Sequence, residues 1–359
     1  QLNQCFRKQN MKKRNLSAKK KTHNFYLNHL KNPKIKKIFL EFKKNLEKYN
    51  PEKLCIAISG GSDSMALAFL AKSYSILNKK RYYYFIVDHK LRAGSTKEAK
   101  LVKNFLTNYG INPQILTLRK QKIISNIQSL ARENRYNLIF NQCLKKKIKH
   151  VLTGHHKDDL YENFFIRLLR GSGLKGLSSF YNTKNKISRH KDVYILRPLL
   201  NIPKKDLLDI TNKSFKFYIK DPSNEDEKYL RIKIRKLINK LTKEGLNSNK
   251  FNLTLENLYK SNETIEYFVK KNIYENSILV EINKKIILKS LFLDQPDEIV
   301  FRSLSELIHK IGIKKEYTRG SKILDLIKDI KFSKKFKKRS LSGCFFEKIN
   351  NSIIIYREK

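Results

Sequence analysis

The sequence predicts an α/β fold, a parallel sheet with helices on both faces, and three observations carry that prediction. Short apolar runs of about five residues recur at 54–59, 82–87, 114–118 and 150–153. Between them, at 64–77, 96–109 and 123–145, apolar residues follow helical spacing. The first run leads straight into Ser59-Gly60-Gly61-Ser62-Asp63-Ser64, a glycine-rich turn that opens the next helix. Strands alternating with helices pair in parallel, and ligands of such sheets bind beyond the carboxyl ends of the strands.

Taken in order, residues 1–34 are polar and basic, include Lys19-Lys20-Lys21, and read as a flexible N-terminal arm or as a tail that touches nucleic acid. A helical pattern over 35–49 leads into Pro51 and the first strand. After the fourth strand a helix covers 157–169, and Arg170-Gly171-Ser172-Gly173 begins a loop rich in Gly and Ser. An extended 194–196 precedes Arg197-Pro198-Leu199, and Pro203 opens a helix to about 212. Asp221-Pro222-Ser223-Asn224 signals a turn before a basic helix at 229–241. These elements make 35–241 one catalytic domain. Residues 242–250 read as a linker, and 251–359 as a small α+β region of two or three helices and a hairpin at 344–349 and 352–356.

Composition narrows the class of partner. The 359 residues hold 78 Lys and Arg against 32 Asp and Glu, a net charge of +46. Such a field favours a polyanion, although a lysine-rich composition of genomic origin accounts for the excess equally well. Four dispersed cysteines exclude a C-x-x-C metal site and a disulfide framework. No apolar run has the length of a membrane span, so the expected compartment is the cytoplasm. Oligomeric state is not legible.

In the loop itself, two glycines let the backbone approach anionic oxygens, and the amides at a helix N-terminus point at them. Ser62 and Ser64 add hydroxyls. No lysine precedes the final serine, as a Walker loop requires, and Asp63 stands inside the loop instead. A carboxylate beside a polyphosphate calls for a bridging cation, which makes Asp63 a candidate ligand for Mg²⁺. The plain alternative is a helix cap after a tight turn.

This loop resembles the signature of the PP-loop ATP pyrophosphatases, which include GMP synthetase, NAD synthetase and several tRNA-modifying enzymes. The resemblance implies an adenine nucleotide alpha hydrolase-like, Rossmann-like fold. It also implies ATP, cleaved between its α- and β-phosphates, and transfer of the adenylyl group to a substrate oxygen. Three more segments narrow it: Val87-Asp88-His89-Lys90-Leu91-Arg92; Thr153-Gly154-His155-His156-Lys157-Asp158-Asp159 with Glu162; and Leu196-Arg197-Pro198-Leu199 with Asp221-Pro222-Ser223-Asn224 and the basic helix near Arg231. In this order they resemble the tRNA(Ile)-lysidine synthetases over about 53–241. The resemblance implies that the wobble cytidine of a tRNA(Ile) with a CAU anticodon is adenylated at its C2 oxygen. Free L-lysine then displaces AMP to form lysidine.

The residues fit such roles without the resemblance. Asp159 and Glu162, three apart at a helix start, present carboxylates on one face, a pair suited to an ammonium group and its proton, or else a solvated acidic first turn. His156 stands beside the nucleotide or caps the helix. Arg197, at a strand end before a proline, holds a phosphate or makes a salt bridge within the sheet; Arg92 and Arg170 are similar candidates. The expected nucleotide site is therefore Ser59, Gly60, Gly61, Ser62, Asp63, Ser64 and His156, with Asp63, Asp159, Glu162 and Arg197 as catalytic groups. Two competing readings are another PP-loop adenylating enzyme, such as a tRNA thiolase or amidotransferase, and a non-catalytic basic RNA-binding protein. The thiolase reading lacks its paired cysteines.

Overall fold

A computed structural model of the chain describes residues 20–90, 94–118, 127–181, 184–186, 193–220, 230–281, 284–312, 318–333 and 336–358. Two compact units are present, divided between Asn252 and Leu253.

The first unit is built on a six-stranded sheet of order β3-β2-β1-β4-β6-β5. Its strands are β1 (Leu54–Ile58), β2 (Tyr83–Asp88), β3 (Gln114–Thr117), β4 (His150–Leu152), β5 (Lys184–Lys186) and β6 (Tyr194–Leu196). Five of them run parallel, and β5 pairs antiparallel with β6 at the edge. Because side chains alternate along a strand, each strand feeds two cores. Leu54, Ile56 and Ile58 of β1, with Tyr84 and Ile86 of β2, join the core with α3 (Ser62–Leu77), α4 (Ser95–Asn108) and α8 (Lys204–Lys213). Cys55 and Phe85 face the other way, onto Ile139, Phe140 and Cys143 of α5 (Ile127–Lys145). Burying each such Leu, Ile or Phe contributes about 1.5–3 kcal/mol. Helix α3 is apolar on nearly every side from Met65 to Ala71, because it is sandwiched between the sheet and α8 rather than lying on the surface.

The N-terminal region differs from the expected arm. Residues 20–29 form a helix, α1, in which Tyr26 is fully buried and donates a hydrogen bond from its hydroxyl to the carbonyl of Tyr109. Phe25 packs against Phe69, Tyr109 and Phe215. Two adjacent aromatics in a lysine-rich stretch anchor the helix, a signal that average polarity conceals. Asn32 then caps α2 (Pro33–Glu47) by accepting hydrogen bonds from the amides of Lys34 and Ile35. Further along lie α6 (Lys157–Leu168), a short α7 (Leu174–Ser178) in the stretch read as loop, and α9 (Leu230–Lys243). The turn at 221–224 lies outside the described residues.

The second unit is an antiparallel sheet of order β7-β8-β11-β10-β9. Its strands are β7 (Ser277–Glu281), β8 (Lys285–Leu288), β9 (Lys338–Leu341), β10 (Cys344–Ile349) and β11 (Ser352–Arg357). The hairpin expected at the C-terminal end is β10–β11, in register from Cys344↔Arg357 to Ile349↔Ser352. One sheet face, through Ile286, Leu288, Phe346, Ile353 and Ile355, packs on α11 (Asp297–Ile311) and α12 (Gly320–Phe332). The expected linker is only a short turn, because α10 (Ser248–Asn276) already starts at Ser248 as one helix of 29 residues. No helix among the described residues is long and apolar enough to cross a membrane.

Candidate active site

The parallel sheet reverses its order between β1 and β4, and the loops after those two strands face each other there. After β1 the chain turns through Gly60, whose φ is +88°. A Cβ at this position would lie 2.8 Å from Val102 Cγ2. Gly61 then caps α3, whose first turn carries Asp63.

Ser64 does not offer its hydroxyl outward. It is buried, and its Oγ accepts from the amides of Ser59 (3.2 Å) and Gly60 (3.1 Å) and from Ser59 Oγ, while donating to the Gly61 carbonyl at 2.9 Å. Ser64 therefore shapes the loop from within, correcting its reading as a ligand-facing donor. Two braces arrive from far along the chain: the amide of Ile219 donates to the Gly60 carbonyl, and Thr211 Oγ1 donates to the Ser62 carbonyl. With its own carbonyls occupied, the loop leaves the N-terminal amides of α3 for an anion.

Opposite lies the segment after β4. Gly154 passes so close to the loop that a Cβ would stand 3.2 Å from the backbone of Asp63 and Ser64. His156 precedes α6, and its amide donates to Asp159 Oδ2 at 3.1 Å. Asp158 and Asp159 in the first turn suit the positive end of that helix. The buried imidazole of His156 lies with Nε2 3.5 Å from both Asp63 Oδ2 and Asp159 Oδ2. Burial opposes its charge, but the bond to Asp63 and the fields of Asp159 and Asp158 outweigh burial and raise its pKa. Burial likewise opposes the Asp159 carboxylate, and the facing histidines with Arg231 more than compensate, so its pKa is lowered. The two carboxylates thus favour the charged form of His156.

Between the two loops lies a cavity of about 390 Å³, within the range of ligand sites. Ser59, Gly61, Asp63 and Ser64 line it from the phosphate turn and Asp159 from α6, with His156 buried behind Asp63 and Asp159, and Arg135 and Arg231 supply cations. Asp88, at the end of β2, is buried and accepts from the Lys90 amide, Ser95 Oγ and Thr96 Oγ1, which fixes the loop at the cavity's edge. Burial opposes its ionisation, yet those donors keep its pKa low.

The carboxylate pair expected at 159 and 162 is not formed as a pair facing one ligand. Glu162 is 1% exposed, and its two oxygens receive Nε and Nη2 of Arg235 from α9. The helical spacing places both carboxylates on one face of α6, but α9 covers that face at Glu162. Arg197 is also buried, its guanidinium 4.4 Å above the Phe180 ring, and it does not line the cavity. Phe180 in turn packs against His155, whose Nδ1 lies 2.8 Å from Thr153 Oγ1. Arg170 is exposed at the far end of α6, and Arg92 lies outside the described residues. Arg235, Thr211 and Ile219 were not legible as site residues, since each acts through a contact across more than 70 positions.

The hard oxygen donors of Asp63, beside a phosphate-binding turn and lining the cavity, suit a magnesium ion. No group of three His, Cys, Asp or Glu that could hold a metal is present among the described residues.

A parallel sheet with an anion-binding turn after its central strand and a carboxylate–histidine cluster facing it defines a PP-loop nucleotide-binding domain, and the PP-loop domain family model matches residues 32–242. The chain is 38% identical to the tRNA(Ile)-lysidine synthase of Orientia tsutsugamushi over 327 residues, covering 86% of this chain and 70% of that protein. Against the enzyme of the same name from Rickettsia typhi it is 36% identical, covering 85% and 70%. The chain belongs to the tRNA(Ile)-lysidine synthase family. Among solved structures, a U34-tRNA thiolase from Methanococcus maripaludis shares the fold, with a TM-score of 0.53 and 20% identity over 63% of this chain and 79% of that one.

Proposed function

We propose that the chain is an ATP-dependent ligase that adenylates the C2 oxygen of the wobble cytidine in tRNA(Ile) with a CAU anticodon and joins free L-lysine there. The observation that carries the reading is the braced phosphate turn with Asp63 and, across one cavity, Asp159, the two carboxylates joined by the buried His156, in a chain of this family. ATP phosphates would lie on the α3 N-terminus, where Asp63 would hold a magnesium ion that neutralises their charge. Arg135 and Arg231 stand at the cavity wall for the phosphoryl oxygens.

In the first half-reaction the cytidine oxygen bonds to the α-phosphorus and pyrophosphate leaves. In the second, the lysine amine bonds to C2 and AMP leaves. The amine must be neutral to attack, and Asp159 is the cavity carboxylate available to hold the ammonium and receive its proton. Glu162, held by Arg235, keeps α6 and α9 together and so positions Asp159. Arg197 supports the wall behind Phe180 and His155. The test is incubation with ATP, Mg²⁺, labelled lysine and that tRNA. Label in the tRNA is the expected result, and pyrophosphate release with a different acceptor would favour another adenylating activity.

A further inference from the structure

A second cavity, of about 530 Å³, lies toward the amino ends of β2 and β3, the opposite end of the sheet from the phosphate turn. Lys72 of α3, Lys79 and Lys80 from the turn after it, and Arg81 line it, and no Asp or Glu does so among the described residues. Lys72 is half-buried without a carboxylate partner among those residues, and burial lowers its pKa. Lys80 is partly engaged, donating to the Pro51 carbonyl at 3.4 Å. Tyr82 and Tyr84, only 7% and 6% exposed, also line the cavity, and neither hydroxyl has a hydrogen-bond partner among the described residues. Burial keeps both phenols protonated, so each remains a donor. Buried donors without acceptors are rare in folded proteins, and four cations without a carboxylate are costly to hold together.

We propose that this basal cavity, lined by Lys72, Lys79, Lys80 and Arg81 with Tyr82 and Tyr84, whose buried hydroxyls are unpaired among the described residues, is a second anion site that takes a phosphate group. A phosphate offers several acceptor oxygens and more than one negative charge, the complement of what the walls present. Its source is either the backbone of an RNA or a free polyphosphate. The inference is independent of the ligase reading, since it concerns the other end of the sheet.

The experiment uses the full chain with its nucleotide site first filled by a non-hydrolysable ATP analogue. Inorganic tripolyphosphate and an unstructured RNA oligonucleotide are then titrated separately. The variants are Lys72→Met combined with Arg81→Ala, the milder Lys72→Gln should the first fail to fold, and Tyr84→Phe. Tripolyphosphate binding is expected to weaken about tenfold with the two cations removed and severalfold with Tyr84→Phe, with the affinity for the ATP analogue unchanged. RNA affinity that falls in parallel, with a salt slope smaller by about one per cation removed, identifies an RNA backbone as the source. RNA affinity that stays constant while tripolyphosphate weakens identifies a free polyphosphate. Unchanged binding of both probes in the folded variants, or no binding of either probe to the parent chain, overturns the proposal.

Discussion

Ser64 and Glu162 show that a residue in the right motif need not touch a ligand. Ser64→Ala removes the acceptor of two loop amides and one hydroxyl, so the turn loses its shape while Asp63 remains. Its expected signature is an ATP affinity reduced at least tenfold, read by titration with an ATP analogue, with little change for Ser62→Ala. Arg235→Ala strands a carboxylate that is 1% exposed and is expected to lower stability by about 3 kcal/mol in urea denaturation. Combined with Glu162→Gln, the loss should be smaller than the two single losses added, and a strictly additive result contradicts the pairing. His156 ties stability to pH. Its folded pKa lies above the unfolded value of about 6.5, so its contribution is complete below that pH and is lost as pH rises through the folded value. Asp159 acts in the opposite sense, contributing above the unfolded carboxylate value and losing its share as pH falls through its lowered folded value. In metal-free buffer the urea midpoint should therefore decline as pH rises above about 6.5, and His156→Gln should flatten that decline.

At the scale of elements, the alternation of apolar runs and helical spacing made the parallel sheet legible, most plainly at the central β1 and its neighbour β2, whose residues are buried or half-buried throughout. The same signal failed where composition masks geometry. Helix α1 begins in a lysine-rich stretch and is held by Phe25, Tyr26 and His29, while β7 exposes Ile278, Leu279 and Val280 at a sheet edge without a clear inside–outside alternation. The phosphate turn was legible because its glycines and Asp63 are contiguous. Its braces at Thr211 and Ile219 were not, because nothing local in those residues records which carbonyl they meet. Gly154 belongs to this element scale too. Its Cβ-free approach sets the distance between the β4 loop and the α3 N-terminus, so Gly154→Ala must push the two apart by a few tenths of an ångström. The expected result is a folded protein with its KM for ATP raised about tenfold, measured by pyrophosphate release. An unchanged KM would mean that the loops yield without cost.

Across the whole molecule, the positive charge is unevenly shared. From Leu253 onward there are 22 Lys and Arg against 14 Asp and Glu, which leaves 56 against 18 in the first 252 residues. The C-terminal region thus carries the lesser share of the field, and the basic helix at 230–243 lies on the richer side of the divide. Replacing four exposed lysines of the first unit by glutamine should reduce the salt slope of tRNA binding more than four such replacements after Leu253, as filter binding across a salt series would show. Equal reductions would place the phosphate contacts evenly along the chain.

The brace from Ile219 to Gly60 also has a meaning in time. A ribosome that has delivered Ser64 has made every residue of the phosphate turn and neither of its distant supports. At ordinary synthesis speeds the stretch from there to Ile219 takes roughly 8–30 s. Through that interval the turn is exposed to cellular nucleotide without the hydrogen bonds that give it its final form. Nucleotide binding thus arrives late in the life of the nascent chain, once the whole first sheet and α8 are present to close around it.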